Sequence, residues 1–139
     1  MKAKKKTKSI AALVDEVAVL TQKLVRLKAA NGEGYAKCVT CGGVYHWKQM
    51  DGGHFISRKY QATKILEEVI HPQCKRCNAY PDNFTYSNYE QYMIDMYGPE
   101  FVEHLKLIAK QPASFDRVDL EQKKRELSAQ INELERQAA

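Results

Sequence analysis

The four cysteines of this chain form two pairs with the same spacing, Cys38-x2-Cys41 and Cys74-x2-Cys77. Two such pairs can bring four thiolates to one tetrahedral ion, and zinc is the usual ion at such a site. Disulfide bonds are the alternative, but they are rare in a reducing cytosol. The spacing therefore predicts a structural zinc site. It does not say whether the zinc only stabilises a small fold or also frames an active site.

Basic side chains concentrate in the part of the chain that holds the cysteines. Residues 1–34 carry eight basic and three acidic side chains, residues 35–80 carry seven and three, and residues 81–139 carry seven and eleven. This asymmetry favours a polyanionic partner, with DNA or another nucleic acid first. A solvated tail that aids solubility explains the N-terminal lysines equally well. The predicted phosphate contacts next to the cysteines are Arg58, Lys59, Lys75 and Arg76.

Hydrophobic periodicity predicts a long amphipathic helix at each end of the chain. Apolar residues spaced three and four apart recur in residues 9–31, with Ser9 as the N-cap. A looser pattern predicts a second helix over residues 116–137, capped by Asp116. Each apolar face needs a cover, so we expect the helices to pack on each other or on a second copy in a homodimer. The N-terminal seam consists of Ile10, Leu13, Val17, Leu20, Leu24 and Leu27.

The remaining segments divide by composition. Residues 1–8 are rich in lysine and are predicted to be disordered, since they bury too little apolar surface to offset their ordering entropy. Residues 35–110 form the expected central domain, with turns and short strands followed by helices. The spacing Ser87-x-x-Glu90 predicts the start of one helix, and Gly98-Pro99 predicts its end and the start of the next.

Length and hydropathy bound the class of protein. A chain of 139 residues fits one domain. Its N-terminus does not have the pattern of a secretory signal, and no apolar run is long enough to span a bilayer. We therefore predict a soluble, cytoplasmic protein with no membrane partner.

A second set of chemically capable residues lies between and directly after the cysteine pairs. The segment Asp51-Gly-Gly-His54-Phe55 stands in the gap, and Asn78 follows Cys77. A histidine near an acid, followed by an asparagine on a helix behind a CxxC pair, is typical of HNH, or ββα-metal, nucleases. The resemblance implies an α+β fold, with a small zinc-stabilised HNH core and long N- and C-terminal helices.

Taken together, residues 35–110 resemble the NinG (Rap) family of lambdoid phage recombination proteins, HNH-like nucleases implicated in cutting branched recombination intermediates. The helix from residue 117 onward also looks like the C-terminal part of that family. Each motif alone is weak, and the combination is specific. The matching segments are Cys38-Val-Thr-Cys41-Gly, Asp51-Gly-Gly-His54-Phe-Ile-Ser-Arg58, His71-Pro-Gln-Cys74-Lys-Arg-Cys77-Asn78 and the tyrosine-rich stretch from Tyr89 to Gly98.

The resemblance implies a role for each matching residue. His54 is the candidate general base, and Asn78 is the HNH residue beside a catalytic Mg²⁺ or Mn²⁺. Asp51 and His71 are the nearest side chains able to complete the shell of that ion. His71 can instead support a zinc thiolate or pack against the ribbon. The middle asparagine of the HNH pattern, which orients the base, corresponds here to Val69, so a backbone carbonyl or His71 has to take its place.

The expected activity is that of a metal-dependent endonuclease. It would hydrolyse phosphodiester bonds in branched DNA during phage recombination, in the cytoplasm of the infected host cell. The alternative is a non-catalytic, zinc-dependent module that binds DNA or acts as a recombination adaptor. Substitution of the middle asparagine by Val69 favours this second interpretation.

Overall fold

A computed structural model of the chain describes residues 7–138. They form five α-helices and two antiparallel two-stranded sheets, so the predicted α+β class is confirmed. Of the predicted disordered tail, residues 1–6 lie outside the described part, and Thr7 and Lys8 have no helix or strand. The order is α1 (Ile10–Ala29), β1 (Tyr35–Lys37), β2 (Val44–His46), β3 (Met50–His54), β4 (Ile70–Cys74), α2 (Lys75–Ala79), α3 (Asn83–Tyr97), α4 (Pro99–Ala109) and α5 (Arg117–Ala138).

The two terminal helices lie where the periodicity predicts them, and their apolar faces pack on each other. Ser9 caps α1, since its hydroxyl accepts from the amide of Ala12 at 3.1 Å. Asp116 caps α5 by accepting from the amide of Val118 at 2.8 Å. All six seam residues of α1 join one apolar cluster with four residues of α5: Leu120, Leu127, Ile131 and Leu134. Because these faces cover each other within one chain, a homodimer is not needed to bury them and stays a prediction.

The turn after α1 differs in detail from the predicted Asn31-Gly32 stop. The helix ends at Ala29, and the Asn31 carboxamide oxygen accepts from the amides of Glu33 and Tyr35, both at 3.0 Å. It is Gly34 that has a positive φ, of 92°. A side chain on Gly34 would also collide with the His46 ring. The asparagine therefore organises the turn, and the glycine two residues beyond the predicted one makes it.

Strands β3 and β4 form the ribbon on which the candidate site is built. Asp51 lies opposite Gln73, Gly53 opposite His71, and His54 opposite Ile70. A two-stranded ribbon is marginal by itself in water. Here α1 covers it closely: a Cβ on Gly52 would lie 2.7 Å from the backbone Cα of Gln22, so only glycine permits this approach.

The start of α3 was predicted at the wrong residue. The helix begins at Asn83, and the capping box is formed by Asp82 and Thr85, whose side chains accept from each other's amides at 2.8 Å. Ser87 and Glu90 lie inside the helix. Two boxes of suitable spacing follow one another here, and the earlier one caps the helix. The predicted boundary at Gly98-Pro99 is confirmed.

Helices α3 and α4 cover the side of the ribbon away from the terminal helices. Tyr89 and Met93 of α3 and Val102 and Leu105 of α4 are buried together with Phe55 and Val69. This apolar cluster supports the β3–β4 ribbon from below the site. Within residues 7–138, the helices are too short or too polar to cross a bilayer.

The packing of α5 on α1 predicts a large effect of trimming its core. Leu127→Ala should lower the free energy of unfolding by about 2–5 kcal/mol, because a side chain only 2% exposed leaves a cavity. Urea denaturation measures this. Leu107→Ala is the control, since Leu107 is 62% exposed and should change stability by less than about 1 kcal/mol. Equal effects of the two substitutions would contradict this account of the core.

Candidate functional site

The two cysteine pairs converge, as their spacing predicted. The sulfurs of Cys38, Cys41, Cys74 and Cys77 all lie within 4.8 Å of one another, and those of Cys41 and Cys74 are 3.9 Å apart. Zinc–sulfur bonds of about 2.3 Å in a tetrahedron separate the sulfurs by about 3.8 Å. All four cysteines are free, so the disulfide alternative is not realised. The cluster has the size and the ligand type of a structural zinc site.

Hydrogen bonds and burial act in opposite directions on these thiols. Burial opposes ionisation of Cys38, but the Cys41 amide and the Thr40 hydroxyl, 3.2 Å from the sulfur, outweigh it and lower the pKa to about 6. At Cys77, burial and the neighbouring sulfurs raise the pKa to about 12. Adjacent thiolates repel one another, so four of them are stable together only when a cation between them offsets the repulsion. The donor set therefore fits zinc.

The sulfur cluster connects two separate parts of the chain. Cys38 and Cys41 lie in the turn between β1 and β2, Cys74 ends β4, and Cys77 lies in α2. Helix α2 has only five residues, too few to be stable alone. Its attachment through two sulfurs fixes the position of Asn78, which follows Cys77 directly.

A cleft of about 700 Å³ lies beside the ribbon and brings together residues that are distant in sequence. Its walls come from β3, β4, α2, α3, the loops after β3 and α2 and, through Gln22, α1. Besides Cys77 of the sulfur cluster, four of the eight residues predicted to act in catalysis, in binding of the catalytic ion or in DNA contact line it: Asp51, His54, Arg58 and Asn78. The other predicted residues do not line it: Lys59, His71, Lys75 and Arg76.

His54 has the tautomer and the charge state that a general base requires. Its Nε2 lies 2.9 Å from the carbonyl oxygen of Lys64. A carbonyl only accepts, so Nε2 carries the proton and Nδ1 keeps its lone pair. Burial lowers the pKa of His54 below its usual value, and the nearby charge of Arg58 lowers it further. The ring is therefore neutral at pH 7 and can take a proton at Nδ1.

The Lys64 carbonyl supplies the orientation that an asparagine would give in the HNH pattern. Val69, at the corresponding position, is fully buried, and its carbonyl accepts from the amide of Phe55 at 2.8 Å. The valine side chain thus belongs to the core under the ribbon. Val69 cannot offer the side-chain amide that an asparagine would have here, but His54 still has the Lys64 carbonyl as its partner.

Asp51 and Asn78 form the polar centre of the cleft. The Asn78 amide donates to one Asp51 oxygen at 3.0 Å, and Lys75 donates to the other, also at 3.0 Å. Burial opposes the charge on Asp51, but these donors and the nearby Arg26 together lower its pKa. Asp51 is therefore a carboxylate at neutral pH. Its oxygens and the Asn78 carboxamide oxygen are hard ligands of the kind that Mg²⁺ and Mn²⁺ prefer.

His71 lies away from the cleft, buried under α3. Its Nδ1 is 3.2 Å from the Tyr89 hydroxyl and its Nε2 is 2.8 Å from the Tyr97 hydroxyl. Tyr89 donates to the Gly53 carbonyl at 2.7 Å, so it accepts from His71 Nδ1, and Tyr97 donates to Nε2. Burial lowers the pKa of His71 to about 4. Both nitrogens are occupied, so we do not assign His71 to the catalytic ion. His71 belongs to β4, and its ring packs between the ribbon and α3. Packing is one of the alternatives that the sequence left open.

The predicted phosphate contacts are all exposed, and two of the four lie at the cleft. Arg58 lines it, and Lys75 contacts Asp51 inside it. Lys59 lies over the ring of Tyr60, 5.0 Å from its centroid, and Arg76 belongs to α2. Arg58 and Lys75 therefore give the cleft positive charge, which suits a phosphate backbone.

Sequence reasoning missed several residues that shape the site. Tyr89 and Tyr97 entered the sequence analysis only as part of the tyrosine-rich stretch that matches the family, yet the Tyr89 hydroxyl bonds His71 and the Gly53 carbonyl, and the Tyr97 hydroxyl bonds His71. Gln73 was not considered, although it lines the cleft, and a side chain on Gly53 would collide with it. The Gly-Gly pair before His54 was the available signal. No sequence signal could have identified the Lys64 carbonyl, because every residue type has a backbone carbonyl.

The sulfur cluster predicts one zinc ion per chain and a fold that depends on it. Removal of zinc with a strong chelator should abolish the cooperative thermal unfolding of the central region, because structural zinc contributes folding free energy directly. Elemental analysis measures the stoichiometry, and circular dichroism follows the melt with and without zinc added back. Cys74→Ser should lose the bound zinc. An unchanged melt after verified loss of metal would contradict a structural role.

The position of His71 predicts that it affects stability and not metal binding. His71→Phe should lower the free energy of unfolding in urea by about 1–3 kcal/mol, because the Tyr97 hydroxyl loses its acceptor and the Tyr89 hydroxyl loses the donor at His71 Nδ1. Binding of Mn²⁺, followed by titration calorimetry, should be unchanged. Asp51→Asn is the matched variant and should weaken Mn²⁺ binding with little effect on stability. Loss of Mn²⁺ binding in His71→Phe, with normal stability, would make His71 a ligand after all.

Comparison with known proteins identifies the family of this chain. No curated protein and no solved structure matches it significantly. A family model described as the bacteriophage lambda NinG protein matches residues 1–137. This match spans the terminal helices as well as the cysteine pairs and the cleft. The chain therefore belongs to the bacteriophage lambda NinG family.

Proposed function

We propose that this protein is a metal-dependent endonuclease that cuts branched DNA. Membership of the NinG family suggests a role in phage recombination. The observation that carries the nuclease proposal is the convergence of His54, Asp51 and Asn78 in one cleft. A base with a free nitrogen thus stands beside a carboxylate and an amide that suit a divalent cation.

The residues of the cleft divide the work of phosphodiester hydrolysis. Asp51 and the Asn78 carboxamide oxygen would hold Mg²⁺ or Mn²⁺, which when bound stabilises charge on the phosphate and on the departing 3′ oxygen. His54 takes a proton from the attacking water at Nδ1, while its Nε2–H stays on the Lys64 carbonyl. Arg58 contributes positive charge for the phosphate. Zinc has no chemical step and holds α2 against the ribbon.

The Lys75 ammonium has to leave the Asp51 carboxylate before a metal ion can bind there. The ammonium lies on the same Asp51 carboxylate that would bind the ion, and the Lys75 side chain is 66% exposed. An exposed lysine is weakly held, so it can leave when a divalent cation enters. Lys75 is then free to contact the DNA backbone next to the site.

A non-catalytic module that binds DNA or acts as a recombination adaptor is the second candidate. Two observations favour it: Val69 stands in place of the middle asparagine, and Lys75 neutralises Asp51. Such a protein would use the same basic surface. Affinity for DNA and its salt dependence are therefore the same under both proposals, and only cleavage separates them.

Cleavage of end-labelled flap and four-way DNA tests the proposal. Zinc-loaded protein in Mg²⁺ or Mn²⁺ should cut, and His54→Ala should reduce the rate by about 10²–10⁴-fold, the usual contribution of a general base. His104→Ala is the matched control, since His104 is an exposed histidine on α4 and should leave the rate unchanged. Burial lowers the pKa of His54, so the rate should fall in acid as the ring is protonated, with a midpoint below the pKa of an ordinary histidine.

The opposite results are equally informative. Tight DNA binding without cutting in either metal would overturn the nuclease and support the adaptor module. Cutting that persists in His54→Ala would retain the nuclease but reject His54 as its base.

A further inference from the structure

Tyr86 offers an exposed aromatic surface inside the cleft. Its ring stacks on Phe55 with centroids 5.6 Å apart and planes inclined by only 14°. The residue remains 49% exposed, although one ring face is covered. Its ring also lines the cleft that holds His54 and Arg58. An aromatic ring that borders a charged cleft can bind a planar ligand.

The surroundings hold this ring in place. Phe55 is 7% exposed and packs against Tyr89, with ring centroids 5.3 Å apart. Burial and the nearby Glu90 carboxylate raise the pKa of the Tyr86 hydroxyl. Glu90 is in turn 3.4 Å from the ammonium of Lys106. The open face of Tyr86 is thus a rigid platform, and a planar ligand would lose little entropy by binding to it.

Charge near the platform suits a nucleotide. Arg58 lines the same cleft, and Phe55 directly follows His54, the last residue of β3, so the platform adjoins the candidate base. Asp82 lies near the start of α3, but its carboxylate accepts the Thr85 amide as a helix cap. Asp51 faces Asn78 and Lys75. A planar group attached to a phosphate would therefore meet an aromatic face and a guanidinium together.

We propose that the open face of Tyr86 binds an unpaired nucleobase next to the phosphate that is cut. Bases within a duplex are stacked on both sides and have no free face, whereas a base at a flap or junction does. The platform would thus distinguish branched from fully paired DNA. This inference deepens the proposed function and rests on it for the identity of the adjoining phosphate, but base binding itself can be measured without cleavage.

The test uses a fluorescent base in two DNAs of the same sequence. One carries 2-aminopurine in an unpaired flap, and the other carries it within a continuous duplex. Zinc-loaded full-length protein is titrated in Ca²⁺, so that binding is followed without relying on cutting. Stacking on Tyr86 should quench the flap fluorescence and leave the duplex probe unchanged.

Four variants separate stacking from simple apolar contact. Tyr86→Phe keeps the ring and should bind the flap like the parent protein. Tyr86→Ala and Tyr86→Leu should lose the quenching and bind the flap about tenfold more weakly, within the range of one base stacked on an aromatic ring. Leu still covers Phe55, so Tyr86→Leu tests the platform if Tyr86→Ala unfolds. Phe84→Ala is the matched control, since Phe84 is 70% exposed on the same helix but does not line the cleft.

The outcomes for the platform and for the nuclease are distinguishable. Flap affinity that is unchanged in Tyr86→Leu, or equally reduced in Phe84→Ala, overturns the platform, even if the parent protein cuts DNA. Flap binding that depends on the Tyr86 ring supports it. If the parent protein then fails to cut, the nuclease proposal falls and the base-binding site stands.

Discussion

The convergence of four sulfur atoms is the constraint on which the rest of this structure depends. Three-residue strands and a five-residue helix have too little surface to stabilise themselves. The cysteines join these pieces at the point where β4 passes into α2. Asn78 owes its position to this joint, since it stands one residue after Cys77 in that five-residue helix.

The helices have a second role, which is to support the two-stranded ribbon that carries the site. Helix α1 covers one side of the ribbon and approaches its backbone at Gly52, while α3 and α4 cover the other side. Helix α5 supports α1 through their shared apolar face. The cleft lies beside the ribbon, and residues of five elements line it together with two loops.

Two histidines on the same ribbon show how burial and partners assign roles. His54 and His71 both have lowered pKa values, and burial is the main cause for each. His54 has one nitrogen fixed by the Lys64 carbonyl and borders the cleft, whereas both nitrogens of His71 are held by tyrosines. A neutral ring with a free nitrogen can act as a base, and a neutral ring without one stabilises the strand. Burial lowers both pKa values, and the hydrogen-bond partners decide which histidine can act as a base.

Sequence alone determined the features that depend on local spacing. The pairing of cysteines, the apolar seams of α1 and α5, the caps at Ser9 and Asp116, and the break at Gly98-Pro99 all follow from residue types a few positions apart. The family resemblance added His54, Asp51 and Asn78 as a group. The start of α3 was misjudged because two capping boxes compete within a few residues, and local spacing does not rank them.

Tertiary structure decided what depends on how elements face each other. It separated His71 from Asp51, although both lie on the ribbon, because α3 brings tyrosines over one of them and α2 brings Asn78 to the other. It gave His54 a backbone carbonyl as its partner, and such a partner cannot be predicted from residue types. It also left the ring of Tyr86 open beside the cleft. Contacts between distant segments set all three results, and periodicity along the chain does not encode them.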